Sequence, residues 1–375
     1  MTEKKTVGIV SGGQLGRMLT EEAIKLGFKV IVLDPAPNCP AAQVGAEQIV
    51  GSWKDGGLIS EVIEKSDFFT IEIEHIDTDV LKKYKDKNIN PLPETIELIQ
   101  NKYEQKKFLA RNKIPTAEFK EVSSFGQAEE IFEKFGKKAI LKSKKDAYDG
   151  RGNRYIDSAE ALKQSFEEFA GREIYIEKII NFKKELAVMA ARDIHGKIVS
   201  YPVVETVHER NICTYVYAPA KIDESINENA KNLAEKVVAS LDGAGVYGVE
   251  MFLDEENNIL INEIAPRVHN SGHYTMDGCE TSQFEQHIRA ITGMGLSPAK
   301  MSQPSVAMVN ILGERDGPVE LKGVEEAESI KGVKVYIYGK SPTKVDRKMG
   351  HINAVAGTIE EAIDKARKAR SLISI

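Results

Sequence analysis

The sequence lacks the marks of several classes of protein. Cys39, Cys213 and Cys279 are its three cysteines, isolated and odd in number. They form neither a disulfide framework nor a CxxC metal site, and a reducing cytoplasm is the expected setting. No run of about 18 apolar residues occurs, so no transmembrane helix is expected. Basic charge is not in excess. Lys and Arg number 51 against 57 Asp and Glu, for a net charge of −6. A nucleic-acid partner is therefore disfavoured, although a local basic pocket is not. The opening MTEKKTVGIVSGGQLG carries too short an apolar run for a signal peptide and leads directly into a strand and turn. Internal repeats and notable flexible linkers are missing as well. What is present is a chain of 375 residues, 42% hydrophobic and 29% charged. That composition fits two or three globular domains.

Alternating patterns set the class. Residues 7–10 read as a buried parallel strand and residues 11–16, SGGQLG, as a glycine turn. Leu15, Met18, Leu19, Ala23 and Leu26 then recur at helical spacing, and Gly27 stops that helix. Residues 30–33 form a second strand closed by Asp34, and residues 68–73 another that ends at Glu74 and His75. This succession predicts an α/β fold with a Rossmann-like first domain over residues 1–100. A second domain is expected over residues 101–298. It holds helices near 101–112 and 123–136, a strand at 139–142, a glycine-rich loop at 147–153 and a strand at 173–177. A long alternating strand to residue 192, a helix near 224–241 and strands at 247–253 and 259–264 complete it. Residues 299–375 are set apart as a small C-terminal domain, with strands at 306–312 and 333–338 and a basic helix near 358–372.

Four features carry chemistry. The glycine turn admits a ligand-free reading, a substrate phosphate on backbone N–H groups, or a dinucleotide with Asp34 on the ribose. Lys142 precedes the glycine loop, and a lysine beside such a loop acts as a point charge on phosphate oxygens. Glu250 interrupts an otherwise apolar strand, while Asn262 and Glu263 lie on the strand returning after the turn at 254–258. Facing carboxylates at one end of a ribbon are costly unless a cation neutralises them. Magnesium takes one or two carboxylates together with phosphate oxygens. Finally, Arg267, His269, Asn270, Ser271 and His273 crowd into seven residues, a set suited to an anionic substrate and to charge on a transferring phosphoryl group. Taken alone, Glu185 and His208 are ambiguous. Residues 193–197 read as a plain hairpin turn, and residues 346–351 as a basic loop able to hold a phosphate.

The order Lys142, glycine loop, residues 177–180, Glu185, Glu250, Asn262 and Glu263 resembles the ATP-grasp superfamily. Residues 12–18, 148–152 and 262–273 narrow the likeness. Together they resemble the N5-carboxyaminoimidazole ribonucleotide synthetases, the ATPase subunits of phosphoribosylaminoimidazole carboxylase, from about residue 7 to about residue 353. The resemblance implies a Rossmann-like pre-ATP-grasp domain, an ATP-grasp domain and a small C-terminal domain. It implies a ligase that uses ATP, Mg2+, bicarbonate and 5-aminoimidazole ribonucleotide, by way of carboxyphosphate, in purine biosynthesis. A homodimer is usual for the family.

The same resemblance implies roles for single residues. Lys102 and Lys142 contact ATP phosphates, and Ala147, Tyr148, Asp149, Gly150, Arg151, Gly152 and Asn153 close over them. Glu177, Lys178, Ile179 and Ile180 meet adenine, Glu185 holds the ribose and His208 lines the pocket. Glu250 and Glu263 hold the metal, with Asn262 beside them. Gly13, Gln14, Leu15, Glu74, Asp149, Arg267, Lys340, Arg347 and Lys348 meet the ribonucleotide, and His269 sits near bicarbonate. Arg267, His269 and Asp149 are the residues expected to act in catalysis. Lys102 stands where some relatives carry arginine, keeping the charge without the bidentate fork. The rival enzyme is a formate-dependent glycinamide ribonucleotide transformylase of the same superfamily. A nucleotide-sensing binding protein and an NAD-dependent oxidoreductase are the rivals of other classes.

Overall fold

The computed structural model describes residues 4–145 and 152–375. Its first sheet is parallel, in the order β3-β2-β1-β4-β5. The strands are β1 (Thr6–Val10), β2 (Lys29–Asp34), β3 (Glu47–Val50), β4 (Phe68–Ile71) and β5 (Asn88–Ile89). Short apolar runs build it because both faces are covered. Val7, Ile9, Val30 and Val32 pack on one face, and Val10, Ile31, Leu33 and Ile71 on the other. The helix Gln14–Lys25 follows β1 directly.

A four-stranded antiparallel sheet comes next, in the order β6-β9-β7-β8. It contains β6 (Phe119–Val122), β7 (Ala139–Ser143), β8 (Asn153–Ile156) and β9 (Ile174–Lys178). Helices Phe125–Lys134 and Ala159–Glu168 cover one face through Ile131, Phe132 and Leu162. Lys142 pairs across with Asn153, so the glycine-rich segment joins β7 to β8.

The largest sheet has nine strands: β10 (Phe182–Arg192), β11 (Ile198–Ser200), β12 (Val204–Glu209), β13 (Ile212–Ala218), β14 (Gly245–Asp254), β15 (Ile259–Ala265), β16 (Ser305–Leu312), β17 (Val333–Ile337) and β18 (Lys348–Ala356). Their order is β15-β14-β10-β12-β13-β16-β18-β17, with β11 on β10. The turn at 193–197 is the plain hairpin read from sequence, with Asp193 Oδ1 accepting the N–H groups of His195 and Lys197. Strands β16 to β18, from the segment set apart at 299–375, extend the edge at β13, where Tyr215–Ala218 pair with residues 306–309. They keep a core of their own beneath the helix Ile359–Leu372. Buried His287 ties the first sheet to the largest one. Its Nδ1 accepts the Val246 N–H at 3.0 Å, which leaves Nε2–H to donate to Thr70 Oγ1 at 2.8 Å. No helix among the described residues is long and apolar enough to cross a membrane.

Candidate functional site

Alternation along β14 explains the carboxylate pair. Val249, Met251 and Leu253 point into the core, so Glu250 and Phe252 point the other way. On β15, Glu263 stands opposite Glu250. The register then slips: Glu250 pairs with Glu263 but Met251 pairs with Ile261, so Asn262 is the extra residue of a bulge. A bulge re-aims side chains that would otherwise alternate. Asn262 and Glu263, neighbours in sequence, therefore both line one cleft.

That cleft holds about 470 Å³ and is also lined by Lys142, Asn153, Tyr155, Glu185, His208 and Phe252. Burial and the adjacent Glu263 charge raise the Glu250 carboxyl to about 7. Lys102 Nζ is 2.5 Å from Glu263. His208 and Glu185 form an ion pair. Burial opposes the charge on His208, but the hydrogen bond and charge of Glu185 outweigh it, and its pKa is raised. Among the described residues no group of three or more His, Cys, Asp or Glu side chains is placed to cage a metal ion. Two facing carboxylates and an amide oxygen at one edge of a cleft are a donor set that fits magnesium completed by phosphate oxygens.

Lys142 does not stand free over this cleft. Its Nζ lies 2.7 Å from Glu177, whose other oxygen is 2.9 Å from Lys106. Glu177 is thus turned inward, while Lys178 is exposed and its N–H donates to the Glu118 carbonyl. Ile179 and Ile180 are partly exposed beside it. Burial would raise the Glu177 carboxyl, but the two lysines hold it below its usual range. Sequence reasoning missed Lys106, since a lysine on a polar helix carries no signal of its own.

A second cleft, of about 620 Å³, gathers Gln14, Leu15, Arg267, Lys340, Arg347 and Lys348. Glu72, Arg210 and Lys344 also line it and were not singled out from sequence. Glu74 lies against Arg267, with Nε 2.7 Å from the carboxylate. Part of the glycine turn at its rim is already engaged within the protein. The buried Glu72 carboxylate accepts the N–H groups of Gly13 at 2.5 Å and Leu15 at 3.0 Å. Asp34 is buried and accepts those of Gly12 and Ala36, both at 2.9 Å, so its carboxylate serves the turn itself, which speaks against a ribose role. Lys340 brings positive charge toward Glu72.

The two clefts share a wall made of His269, Asn270 and Lys348. Burial, then the charges of Arg267 and Lys348, push the His269 imidazole down to about 3, so it is neutral. Its Nδ1 faces the Ser271 hydroxyl at 2.9 Å and accepts the Ser271 N–H at 3.4 Å. The proton is thereby assigned to Nε2, which sits 3.6 Å from Glu250. Gln283 clamps the loop, accepting from His269 N and donating to His269 O. His273, which helped mark this run as a site, lines neither cleft. It is fully buried against His351, with ring centroids 4.8 Å apart, and the structural reading holds for it. The expected roles of Ala147, Tyr148, Asp149, Gly150 and Arg151 fall outside the described residues.

Comparison with known proteins follows this geometry. A ribonucleotide synthetase preATP-grasp domain model matches residues 4–100, an ATP-grasp domain model residues 107–284, and a phosphoribosylaminoimidazole carboxylase C-terminal domain model residues 306–365. The chain is 38% identical to N5-carboxyaminoimidazole ribonucleotide synthase of Bacillus subtilis, covering 96% of this chain and 93% of that one. It is 45% identical to phosphoribosylaminoimidazole carboxylase of Candida albicans over 96% of its own length, but spans 65% of that longer relative. Among solved structures, the N5-carboxyaminoimidazole ribonucleotide synthetase of Thermotoga maritima superposes with a TM-score of 0.89 at 43% identity, covering 99% of both chains. The Aspergillus clavatus synthase in complex with ADP and 5-aminoimidazole ribonucleotide gives 0.91 at 39% identity, again over 99% of both.

Proposed function

The chain belongs to the N5-carboxyaminoimidazole ribonucleotide synthase family of ATP-grasp proteins, and from that premise we propose that it is an ATP-dependent carbon–nitrogen ligase. Its substrates are ATP, bicarbonate and 5-aminoimidazole ribonucleotide. Its products are N5-carboxyaminoimidazole ribonucleotide, ADP and phosphate, in purine biosynthesis. The observation that carries the reading is the shared wall: a carboxylate-lined cleft and a basic cleft meet at His269, Asn270 and Lys348. A nucleotide and a phosphorylated amine placed in them face each other across the group to be transferred.

In this reaction a bicarbonate oxygen attacks the γ-phosphorus as the bond to ADP breaks, forming carboxyphosphate. Its carbon–oxygen bond to phosphate then breaks, giving carbon dioxide and phosphate. The exocyclic amine attacks carbon dioxide and passes its proton to phosphate. Such steps ask a protein mainly for neutralised phosphates, aligned anions and excluded water.

Lys102 and Lys142, with Gly152 and Asn153 at the loop's end, surround the nucleotide phosphates. Glu177 to Ile180 meet the base, Glu185 the ribose, and His208 the wall behind it. Magnesium, held by Glu250 and Glu263 with Asn262 beside them, supplies positive charge to the phosphate oxygens when bound. Arg267, fixed by Glu74, presents its guanidinium to the ribonucleotide side, where Gln14, Lys340, Arg347 and Lys348 supply further contacts. Neutral His269 offers Nε2–H to the bicarbonate oxygens. A cytoplasmic homodimer completes the proposal.

ATP turnover with each substrate pair tests it. Turnover is expected with aminoimidazole ribonucleotide plus bicarbonate. Turnover only with glycinamide ribonucleotide plus formate would replace this reading by the transformylase, and ATP binding without turnover by a sensor.

A further inference from the structure

Lys106 lies one turn after Lys102 on the helix Lys102–Arg111 and is buried. Its Nζ donates to Thr116 Oγ1 at 2.9 Å, and that hydroxyl donates to the Ile261 carbonyl on β15 at 2.8 Å. The same ammonium is 2.9 Å from one Glu177 oxygen, while Lys142 Nζ is 2.7 Å from the other. Exposure falls off along this row: the Lys142 side chain keeps 14%, those of Glu177 and Lys106 3% each. Burial pulls the Lys106 ammonium below its ordinary range; Glu177 opposes that pull and the Lys142 charge adds to it. Two lysines thus share one buried carboxylate, and of the three side chains only Lys142 lines the first cleft. The row carries more positive charge than its acid neutralises, and its open end is Lys142.

We infer that Lys106 is a positioning residue for nucleotide binding: it neutralises Glu177 from the buried side and so releases the charge of Lys142 to the phosphates of ATP. This rests on the nucleotide reading of the first cleft given above. A buried carboxylate left with a single cation holds it firmly, because moving that cation away strands the charge. With Lys106 in place, Lys142 can turn from Glu177 to a phosphate oxygen while Glu177 keeps a counter-ion. Without it, the Lys142–Glu177 pair is neutral, and the phosphates must compete with the carboxylate for one lysine. The effect belongs to charged ligands. Adenosine carries no phosphate and is indifferent to it. A Lys106 that merely held residues 177–180 in place would instead matter to adenosine and ATP alike.

The test compares wild type, Lys106→Met and Lys106→Arg in magnesium-dependent ATP turnover with bicarbonate and ribonucleotide. The KM for ATP is measured in each, with the inhibition constants of ADP and adenosine competing against ATP. Lys106→Met is expected to raise the ATP KM and the ADP inhibition constant by on the order of tenfold or more. The adenosine inhibition constant should stay within about twofold of wild type, since no contact to base or ribose is removed. Lys106→Arg keeps the charge and should hold the ATP KM within about threefold. An ATP KM equal to wild type in folded Lys106→Met overturns the inference. So does an equal weakening of ATP, ADP and adenosine, or a Lys106→Arg as impaired as Lys106→Met. Where Lys106→Met does not fold, the polar and uncharged Lys106→Gln decides by the same criterion. Absence of ATP binding and turnover in wild type would instead overturn the nucleotide reading of the cleft, so the two failures are distinguishable.

Discussion

The Glu74–Arg267 pair joins the loop after β4 to the loop after β15, and its energetics are open to a direct test. Arg267 Nε lies 2.7 Å from one Glu74 oxygen and Nη2 3.3 Å from the other. The two side chains are only 18% and 11% exposed. Burial by itself would raise the Glu74 carboxyl. The charge and hydrogen bonds of Arg267, aided by the Lys102 charge, overcome that and hold it at about 2 against an ordinary 4.5. At about 1.4 kcal/mol per tenfold change in proton affinity, the ionised pair contributes roughly 3 kcal/mol of stability. Arg267→Met leaves a buried carboxylate unpaired and is expected to cost about 3–5 kcal/mol at neutral pH. Glu74→Gln with Arg267→Met should recover much of this, because no lone charge remains.

The assay is urea unfolding of wild type, both single variants and the double variant, giving the coupling energy. The pH dependence supplies a second arm. In wild type the Glu74 contribution is complete above about pH 4.5 and is lost as pH falls toward about 2. In Arg267→Met burial is opposed only by the weaker remaining charges such as Lys102, the carboxyl rises, and the penalty shrinks as acid neutralises it. A coupling below about 1 kcal/mol would refute the reasoning. So would a penalty that stays constant from about pH 7 to about pH 4.

Two other substitutions probe the shared wall and its neighbours. Glu263→Gln removes one of the two facing carboxylates and should lower magnesium-dependent ATP turnover by about 100-fold or more while circular dichroism stays native; a wild-type rate would dismiss the metal pair. Gly248→Ala puts a Cβ 2.8 Å from the Cβ of His269. It should cost about 1–3 kcal/mol in thermal unfolding and lower turnover as His269 is displaced; unchanged turnover would show that the position of His269 does not matter.

Sequence legibility followed the range of each interaction. Strands β1, β2, β14 and β15 were readable because their apolar periodicity is local. The Glu250–Glu263 pair was readable because a short turn at 254–258 leaves few registers for β14 and β15. The bulge that swings Asn262 to the same cleft was not, since it is a matter of two strands together. The β12–β13 hairpin also escaped notice, its polar residues Glu205, His208 and Thr214 masking the alternation. Lys106 and Glu72 owe their place largely to partners 71 and 57 to 59 positions away in sequence, Glu177 for the first and Leu15 and Gly13 for the second. The His269–His273 run signalled one cluster, but its backbone turns His269 to the clefts and His273 to the core. Arg347 and Lys348 were placed by family resemblance, and only the pairing of β18 with β16 and β17 explains how they reach the second cleft.

The continuity of the nine-stranded sheet bears on how the chain can be divided. A polypeptide ended near residue 298 would keep every strand from β10 to β15 and still lose the ladder that Tyr215–Ala218 make with β16. Bare N–H and C=O groups along β13 would then be open to strands of other molecules, and aggregation is the expected fate of such an edge. It would also lose Lys340, Arg347 and Lys348, and with them much of the basic wall of the second cleft. Expression of shortened versions and exchange of segments between relatives should therefore respect the hydrogen-bonded edge rather than the change of texture in the sequence.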